Sequence, residues 1–234
     1  MEIWFKKLGF YNNPFSIKPA AFSDELFGYN VQDIMDKINN GEVLFIEGAY
    51  GKGKTTILKK IIRQFGGKKR VVYYSCNRKE DEIDLEEILK GRYGFFGRMF
   101  NIKPKDMILL LDESQYMNEK DSENLAYYYN DHYFRAIVLV SHDFFSIKMS
   151  DGLKKLVNGN VIKLNKLNPE DSVSLIRKRI GDVDIIDDET IKLIFSKSDE
   201  NPRRLLKNSE LVFKHAFDRG YEKVTKEHVE AVLK

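Results

Sequence analysis

The residues from Gly48 to Thr55, Gly-Ala-Tyr-Gly-Lys-Gly-Lys-Thr, follow the pattern G-x-x-x-x-G-K-[ST], which has the composition of a loop that cradles phosphate. Glycines at this spacing let successive backbone N–H groups turn inward around an anion, and a helix that starts immediately afterwards presents its positive dipole end to the same charge. Lys54 is then expected to bridge the β and γ phosphates of ATP, and the Thr55 hydroxyl to ligate Mg²⁺. The expected nucleotide-binding set is Gly48, Ala49, Tyr50, Gly51, Lys52, Gly53, Lys54, Thr55 and Thr56. Tyr50 and Lys52 fill free positions of the pattern and receive no individual role.

A second pair follows at a distance. Met107 to Leu111 is uniformly apolar and runs into Asp112-Glu113, 57 residues after Thr55. An apolar strand that ends in two carboxylates places them at the carboxyl edge of a sheet, where ligands of open α/β folds collect. Asp112 is expected as the magnesium partner, directly or through water, and Glu113 as the group that polarises the attacking water. The next apolar run, Ile137 to Val140, ends in Ser141-His142-Asp143, so a small polar side chain again falls at the sheet edge. Ser141 is the candidate beside the γ phosphate; His142 is the competing polar group, and a solvated strand-end histidine is its plainer reading.

Positioning these residues requires strands that lead into each of them. Val43 to Ile46, Val71 to Ser75, Met107 to Leu111 and Ile137 to Val140 are short apolar runs separated by longer segments of helical period, with a weaker run at Val161 to Leu164. Runs without a polar face are expected for parallel strands covered on both sides by crossover helices. From Asn168 onward the strand signals stop. Asn168-Pro169-Glu170-Asp171 combines an N-cap, a first-turn proline and acidic residues, and helices fit Asp188 to Phe195, Pro202 to Phe217 and Thr225 to Leu233. The expected architecture is α/β: a phosphate-loop parallel sheet with helices on both faces and an N-terminal strap over 1–167, then a small all-helical lid domain over 168–234.

Composition excludes several classes. With 42% hydrophobic and 32% charged residues, 5 Pro and 15 Gly in 234 residues, the chain is neither disordered nor fibrous and is long enough for two packing units. Lys and Arg number 39 against 36 Asp and Glu, so a nucleic-acid surface would have to be a local patch. Cys76 is the single cysteine and permits neither an internal disulfide nor a cysteine metal site. No stretch reaches the ~18 apolar residues of a membrane span, and the first ten residues lack a signal-peptide core, so a cytoplasmic location is expected.

Taken in order, these motifs resemble the AAA+ superfamily: Walker A at Gly48 to Thr55, Walker B at Asp112-Glu113 and a sensor-1 position at Ser141. Glu200-Asn201-Pro202-Arg203-Arg204-Leu205-Leu206 resembles the sensor-2 motif G-x-P-R-x-L without its glycine, and Gly220 to Val229 resembles the end of an AAA+ lid. The resemblance covers about residues 14 to 234 and implies an ATP hydrolase in which Lys54, Glu113, Ser141 and Arg203 serve catalysis, with Arg203 reporting the γ phosphate by moving the lid. Asn13-Pro14-Phe15 and the short lid are most similar to the branch of archaeal origin-recognition-type initiators and bacterial transposition and secretion accessory ATPases. Initiators of that branch carry a C-terminal winged-helix DNA reader, and this chain ends with the lid. A trans-acting arginine finger is expected between Asp151 and Asn158, where only Lys154 and Lys155 occur; a homo-oligomer is allowed but has no clear finger, with Arg135, before the fourth strand, as the substitute.

Two client classes follow. Arg92-Tyr93-Gly94-Phe95-Phe96-Gly97-Arg98-Met99-Phe100 interleaves basic and aromatic residues, as suits DNA, while Phe95-Phe96-Gly97 also resembles the loop with which unfoldases grip polypeptide. Packing into the core is the alternative for these aromatics. For Tyr127, Tyr128, Tyr129 and Tyr133, helix packing is favoured over an interface. The functional expectation is Mg²⁺-ATP binding coupled to DNA-associated assembly; the alternative is a remodelling or switch ATPase acting on a protein partner.

Overall fold

The computed structural model describes residues 3–17, 30–67, 70–77, 82–100, 102–164 and 167–234, with backbone alone at 93 and 96–98. In chain order the helices are Trp4–Lys7 (α1), Val31–Asn39 (α2), Lys54–Phe65 (α3), Leu85–Lys90 (α4), Gly94–Met99 (α5), Glu119–Asn130 (α6), Asp151–Val157 (α7), Pro169–Ile180 (α8), Asp188–Ser196 (α9), Pro202–Asp218 (α10) and Lys226–Val232 (α11). The strands are Val43–Glu47 (β1), Val71–Ser75 (β2), Met107–Asp112 (β3), Phe134–Ser141 (β4) and Val161–Lys163 (β5).

All strand pairings are parallel, in the order β2-β3-β4-β1-β5. β3 is buried along its whole length and β4 at every position but Arg135, as near-continuous apolar runs require. The α/β sheet expected from the sequence is present. β4 begins three residues earlier than its apolar run, so Arg135 lies inside the strand and not before it. The register pairs Glu47 with Ser141 and Ser75 with Asp112, which brings the ends of β1 and β4 together, and likewise those of β2 and β3. Cys76 continues β2 through a bond from its N–H to the Asp112 carbonyl (2.9 Å), and burial pushes its thiol up to about 12.

The chain forms two compact units. One holds 30–50 and 54–164, the sheet and its helices; the other holds 1–29, 51–53 and 165–234. The sequence reading grouped the N-terminal segment with the sheet, whereas its described residues pack into the helical unit. Trp4 stacks on Phe15 (centroids 6.0 Å apart), and Phe15 meets Phe213 of α10 edge-on at 4.7 Å. The Asn-Pro-Phe turn is closed by Asn13 Oδ1, which accepts from the Phe15 amide (2.9 Å), and Arg179 of α8 donates to the carbonyls of Pro14 and Ser16 at 3.0 Å each. Such contacts between residues some 165 positions apart leave no periodic trace in sequence. Among the described residues, no helix is long and apolar enough to cross a membrane.

Helix caps explain the motif polar residues of this unit. Asn168 and Asp171 form a reciprocal capping box with Pro169 in the first turn of α8, and Asn201 caps α10 by accepting from the amides of Arg203 (3.0 Å) and Arg204 (3.2 Å). Asp199 and Glu200, just before this cap, both have left-handed backbones (φ 51 and 53). Glu200 stands where the sensor-2 pattern has glycine, and the conformation shows why glycine suits the position. Left-handed backbone costs an ordinary L-residue roughly 1–2 kcal/mol, of which glycine returns part through its greater unfolded-state entropy. Glu200→Gly is therefore expected to raise stability by about 0.5–1 kcal/mol, read as an increase in thermal midpoint. A lowered midpoint would mean that Glu200's side chain contributes more than its backbone costs.

Candidate functional site

The loop after β1 is shaped by glycines where shape requires them. Gly51 and Gly53 have φ values of 83° and 92°, in the left-handed region, and a Cβ on Gly48 would meet Leu164 at 3.0 Å. Lys54 is the first residue of α3, so its loop feeds directly into a twelve-residue helix whose amino end faces the loop. Its ammonium is buried and donates to the carbonyls of Gly48 (2.6 Å) and Ala49 (3.3 Å). Burial lowers the Lys54 pKa, and the negative charges of Glu113 and Asp112 act in the opposite sense and offset part of that shift. Thr55 is exposed, while Thr56 is half-buried.

Lys52, a free position in the loop pattern, is also buried and donates to the Glu200 carbonyl at 3.1 Å. Gly51 belongs to the same grouping, and a Cβ there would come within 2.6 Å of Asn201 Oδ1 and 3.0 Å of Arg203 Cβ. Neither contact was readable from the motif, which constrains the glycines and Lys54 but not what lies beside them.

At the end of β3, Asp112 is buried and Glu113 is partly exposed. Asp112 Oδ1 accepts from the Glu113 amide (3.0 Å) and Oδ2 from the Tyr73 hydroxyl (3.2 Å). Burial pushes the Asp112 carboxyl up; the Glu113 amide pulls it back, Glu113's charge raises it again, and Tyr73 and Lys54 lower it. Tyr73 itself is pushed up to about 12, first by burial and then by the Asp112 charge, so its hydroxyl remains a donor. Glu113 has a left-handed backbone (φ 56, ψ 39), a strained conformation for a non-glycine residue that concentrates at functional sites. This bend starts the tight turn Ser114–Tyr116, and Ser114 pins the turn to β4 through its hydroxyl bond to the Val140 carbonyl (2.9 Å).

The end of β4 supplies both polar candidates, in different ways. Ser141 is fully buried and donates to Gln115 Oε1 at 2.8 Å, while Gln115 Nε2 donates to Glu113 Oε2 at 2.5 Å. His142, exposed at the sheet edge, has Nδ1 3.5 Å from the Lys54 ammonium and Nε2 3.9 Å from Glu113 Oε2. The structure thus brings Lys54, Asp112, Glu113, Ser141 and His142 to one sheet edge, and adds Tyr73 and Gln115, which the sequence reading did not single out. Gln115 carried a faint signal as an amide two residues beyond the acidic pair; Tyr73 required the β2–β3 pairing.

Mg²⁺ is held by few protein oxygens and keeps water and phosphate as its other ligands. That chemistry fits Thr55 and Asp112, and the described residues contain no group of three or more His, Cys, Asp or Glu of the kind a dedicated protein cage would use.

A parallel sheet with β4 between β1 and β3, and a phosphate-shaped loop leaving β1 towards an acidic strand end, defines the AAA+ P-loop fold. The chain belongs to the AAA domain family, whose model matches residues 40–167, more than half of its length. Among solved structures it resembles Cdc6p from Pyrobaculum aerophilum (TM-score 0.69, 14% identity, 94% of this chain and 70% of that one). It also resembles Drosophila ORC bound to DNA (0.62, 15%, 87% and 59%) and the Thermotoga maritima RuvB Holliday junction branch migration motor (0.63, 17%, 88% and 68%). The chain therefore spans 59% of the Drosophila ORC chain, and at these identities the likeness is one of fold. A sequence comparison with curated proteins found no match.

Proposed function

We propose that the protein binds ATP with Mg²⁺ at the Gly48–Thr56 loop and hydrolyses it, using Glu113 to orient and polarise the attacking water. The observation that carries this reading is the convergence of the buried Lys54 ammonium with Asp112 and Glu113 at one sheet edge. The loop amides and Lys54 bind and orient the phosphates, and Lys54 opposes the charge that develops on them during transfer. Thr55 and Asp112 hold the metal, whose part is to neutralise phosphate oxygens. Glu113, fixed by its turn, accepts a hydrogen bond from the water. Arg203, in the first turn of α10, has the γ-phosphate-sensing role implied by the sensor-2 resemblance.

We assign the client as DNA, and the biological role as DNA-associated assembly. Support comes from the exposed aromatics Phe95 (73% exposed) and Phe100 (60%), which suit base stacking, in the same sequence run as the half-buried Arg92. The remaining side chains of that run, at 93 and 96–98, lie outside the described residues. Two of the structural neighbours point the same way: the Drosophila ORC structure is bound to DNA, and the RuvB one is described as a Holliday junction branch migration motor. Exposed Met99 (54%) and Ile102 (46%) favour the second reading, a protein partner. The deciding measurement is the ATPase rate with and without duplex and single-stranded DNA. A severalfold rise with either is expected; a rate indifferent to both, yet raised by a co-purifying protein, would transfer the client assignment to that protein.

A further inference from the structure

Gln115 joins Glu113, just after β3, to Ser141, at the end of β4. Its amide lies between Glu113 Oε2 (2.5 Å) and Ser141 Oγ (2.8 Å). The direction of this chain is set by chemistry: an ionised carboxylate only accepts, so the amide nitrogen must face Glu113 and the amide oxygen must face Ser141. Ser141 must then donate its single hydroxyl hydrogen to Gln115. With Ser141 fully buried, that hydrogen bond commits its whole donor capacity to the glutamine.

The backbone holds the amide in this position. The left-handed bend at Glu113, the bond from the Tyr116 amide to the Glu113 carbonyl (3.1 Å) and the bond from the Met117 amide to the Ser114 carbonyl (3.1 Å) fix a tight turn, anchored to β4 through Ser114. Gln115's bond to Glu113 is also much shorter than the 3.9 Å from the same carboxylate oxygen to His142 Nε2. Of these two neighbours, only Gln115 is within hydrogen-bond reach of the carboxylate.

We propose that Gln115 is a positioning residue for ATP hydrolysis, which holds the Glu113 carboxylate in its working orientation and through which Ser141 exerts its effect on turnover. This rests on the reading of Glu113 as the water-polarising group. Ser141 is on this view the far end of a relay to Glu113, not an independent contact to phosphate. Misplacing a reacting or activating group by about 1 Å costs on the order of a hundredfold in rate without weakening substrate binding in proportion.

The test is steady-state ATPase kinetics with calorimetric nucleotide affinity for Gln115→Ala, Ser141→Ala, the double variant, Gln115→Glu and Glu113→Gln. Gln115→Ala and Ser141→Ala are each expected to lower kcat roughly ten- to a hundredfold with nucleotide affinity unchanged. The double variant should be no slower than the worse single one. Gln115→Glu, equal in shape but unable to donate to Glu113, should fall with them, and it carries the test if the alanine variant fails to fold. Losses that multiply in the double variant, or a weakened nucleotide affinity in Ser141→Ala, would overturn the relay. Wild-type kcat in Gln115→Ala beside an inactive Glu113→Gln would overturn it while leaving the proposed function intact; full turnover in Glu113→Gln would instead remove the function on which it rests.

Discussion

Lys54→Ala is expected to lower affinity for Mg²⁺-ATP by at least about a hundredfold, to below what calorimetry detects at ordinary protein concentrations. Each hydrogen bond to a charged partner contributes roughly 1.5–3 kcal/mol, and Lys54 is expected to make such bonds to two phosphates. Its removal also takes away the cation whose ionisation Asp112 and Glu113 favour. The two carboxylates would then face the polyanion with one cation fewer to offset them, which adds repulsion to the lost attraction. Lys54→Arg should do little better, because the ammonium is closely seated, 2.6 Å from the Gly48 carbonyl and 3.3 Å from that of Ala49, and a planar guanidinium is too broad for that seat. Folding is checked separately by thermal denaturation. Unchanged nucleotide affinity in a folded Lys54→Ala protein would remove the phosphate-loop assignment altogether.

What could be read in the sequence was local. Strands β3 and β4 were recognisable because a strand covered on both faces needs no polar alternation, and the loop was recognisable because only glycine tolerates φ values near those of Gly51 and Gly53. The helix start at Asn168-Pro169 followed from capping chemistry that involves neighbours only, and the structure shows Asn201 capping α10 in the same local way. The first three residues of β4, Phe134 to Ala136, lie outside the apolar run because Arg135 interrupts it, although the strand continues through that position. The N-terminal segment was grouped with the sheet because nothing near Asn13-Pro14-Phe15 in sequence reveals Arg179 or Phe213 as its partners. Ser141 was legible as a strand-end residue, but its bond to Gln115 depends on the left-handed bend at Glu113, which no propensity assigns to a glutamate. The polar network that orients the acidic pair is therefore a product of tertiary pairing, while the pair itself is a product of the motif.

The sharpest separation of roles within that pair comes from two substitutions that each change one oxygen to nitrogen. Glu113→Gln is expected to retain ATP affinity and its magnesium dependence while turnover falls by about 10²–10⁴, the usual contribution of a positioned general base. The glutamine should keep the local structure, because its amide oxygen can still accept from Gln115 Nε2, where Glu113 Oε2 now does so at 2.5 Å. Asp112→Asn should behave otherwise. Both Asp112 oxygens are engaged, Oδ1 by the Glu113 amide and Oδ2 by Tyr73, and an asparagine NH₂ cannot accept either bond. Both contacts survive only if Oδ1 stays on the Glu113 amide and the NH₂ donates to a Tyr73 hydroxyl that has turned from donor to acceptor, so the link to β2 is reversed in direction. The same change removes the negative charge expected to hold Mg²⁺, so a higher magnesium concentration should be needed for tight ATP binding and for hydrolysis. Magnesium titrations of ATP affinity, combined with single-turnover hydrolysis, read both effects in one set of samples. A rate-only defect in Glu113→Gln and a magnesium-dependent binding defect in Asp112→Asn is the expected pattern. Indistinguishable defects would mean that the two carboxylates act as one unit, and that the division of labour drawn from their different burial and hydrogen bonding is wrong.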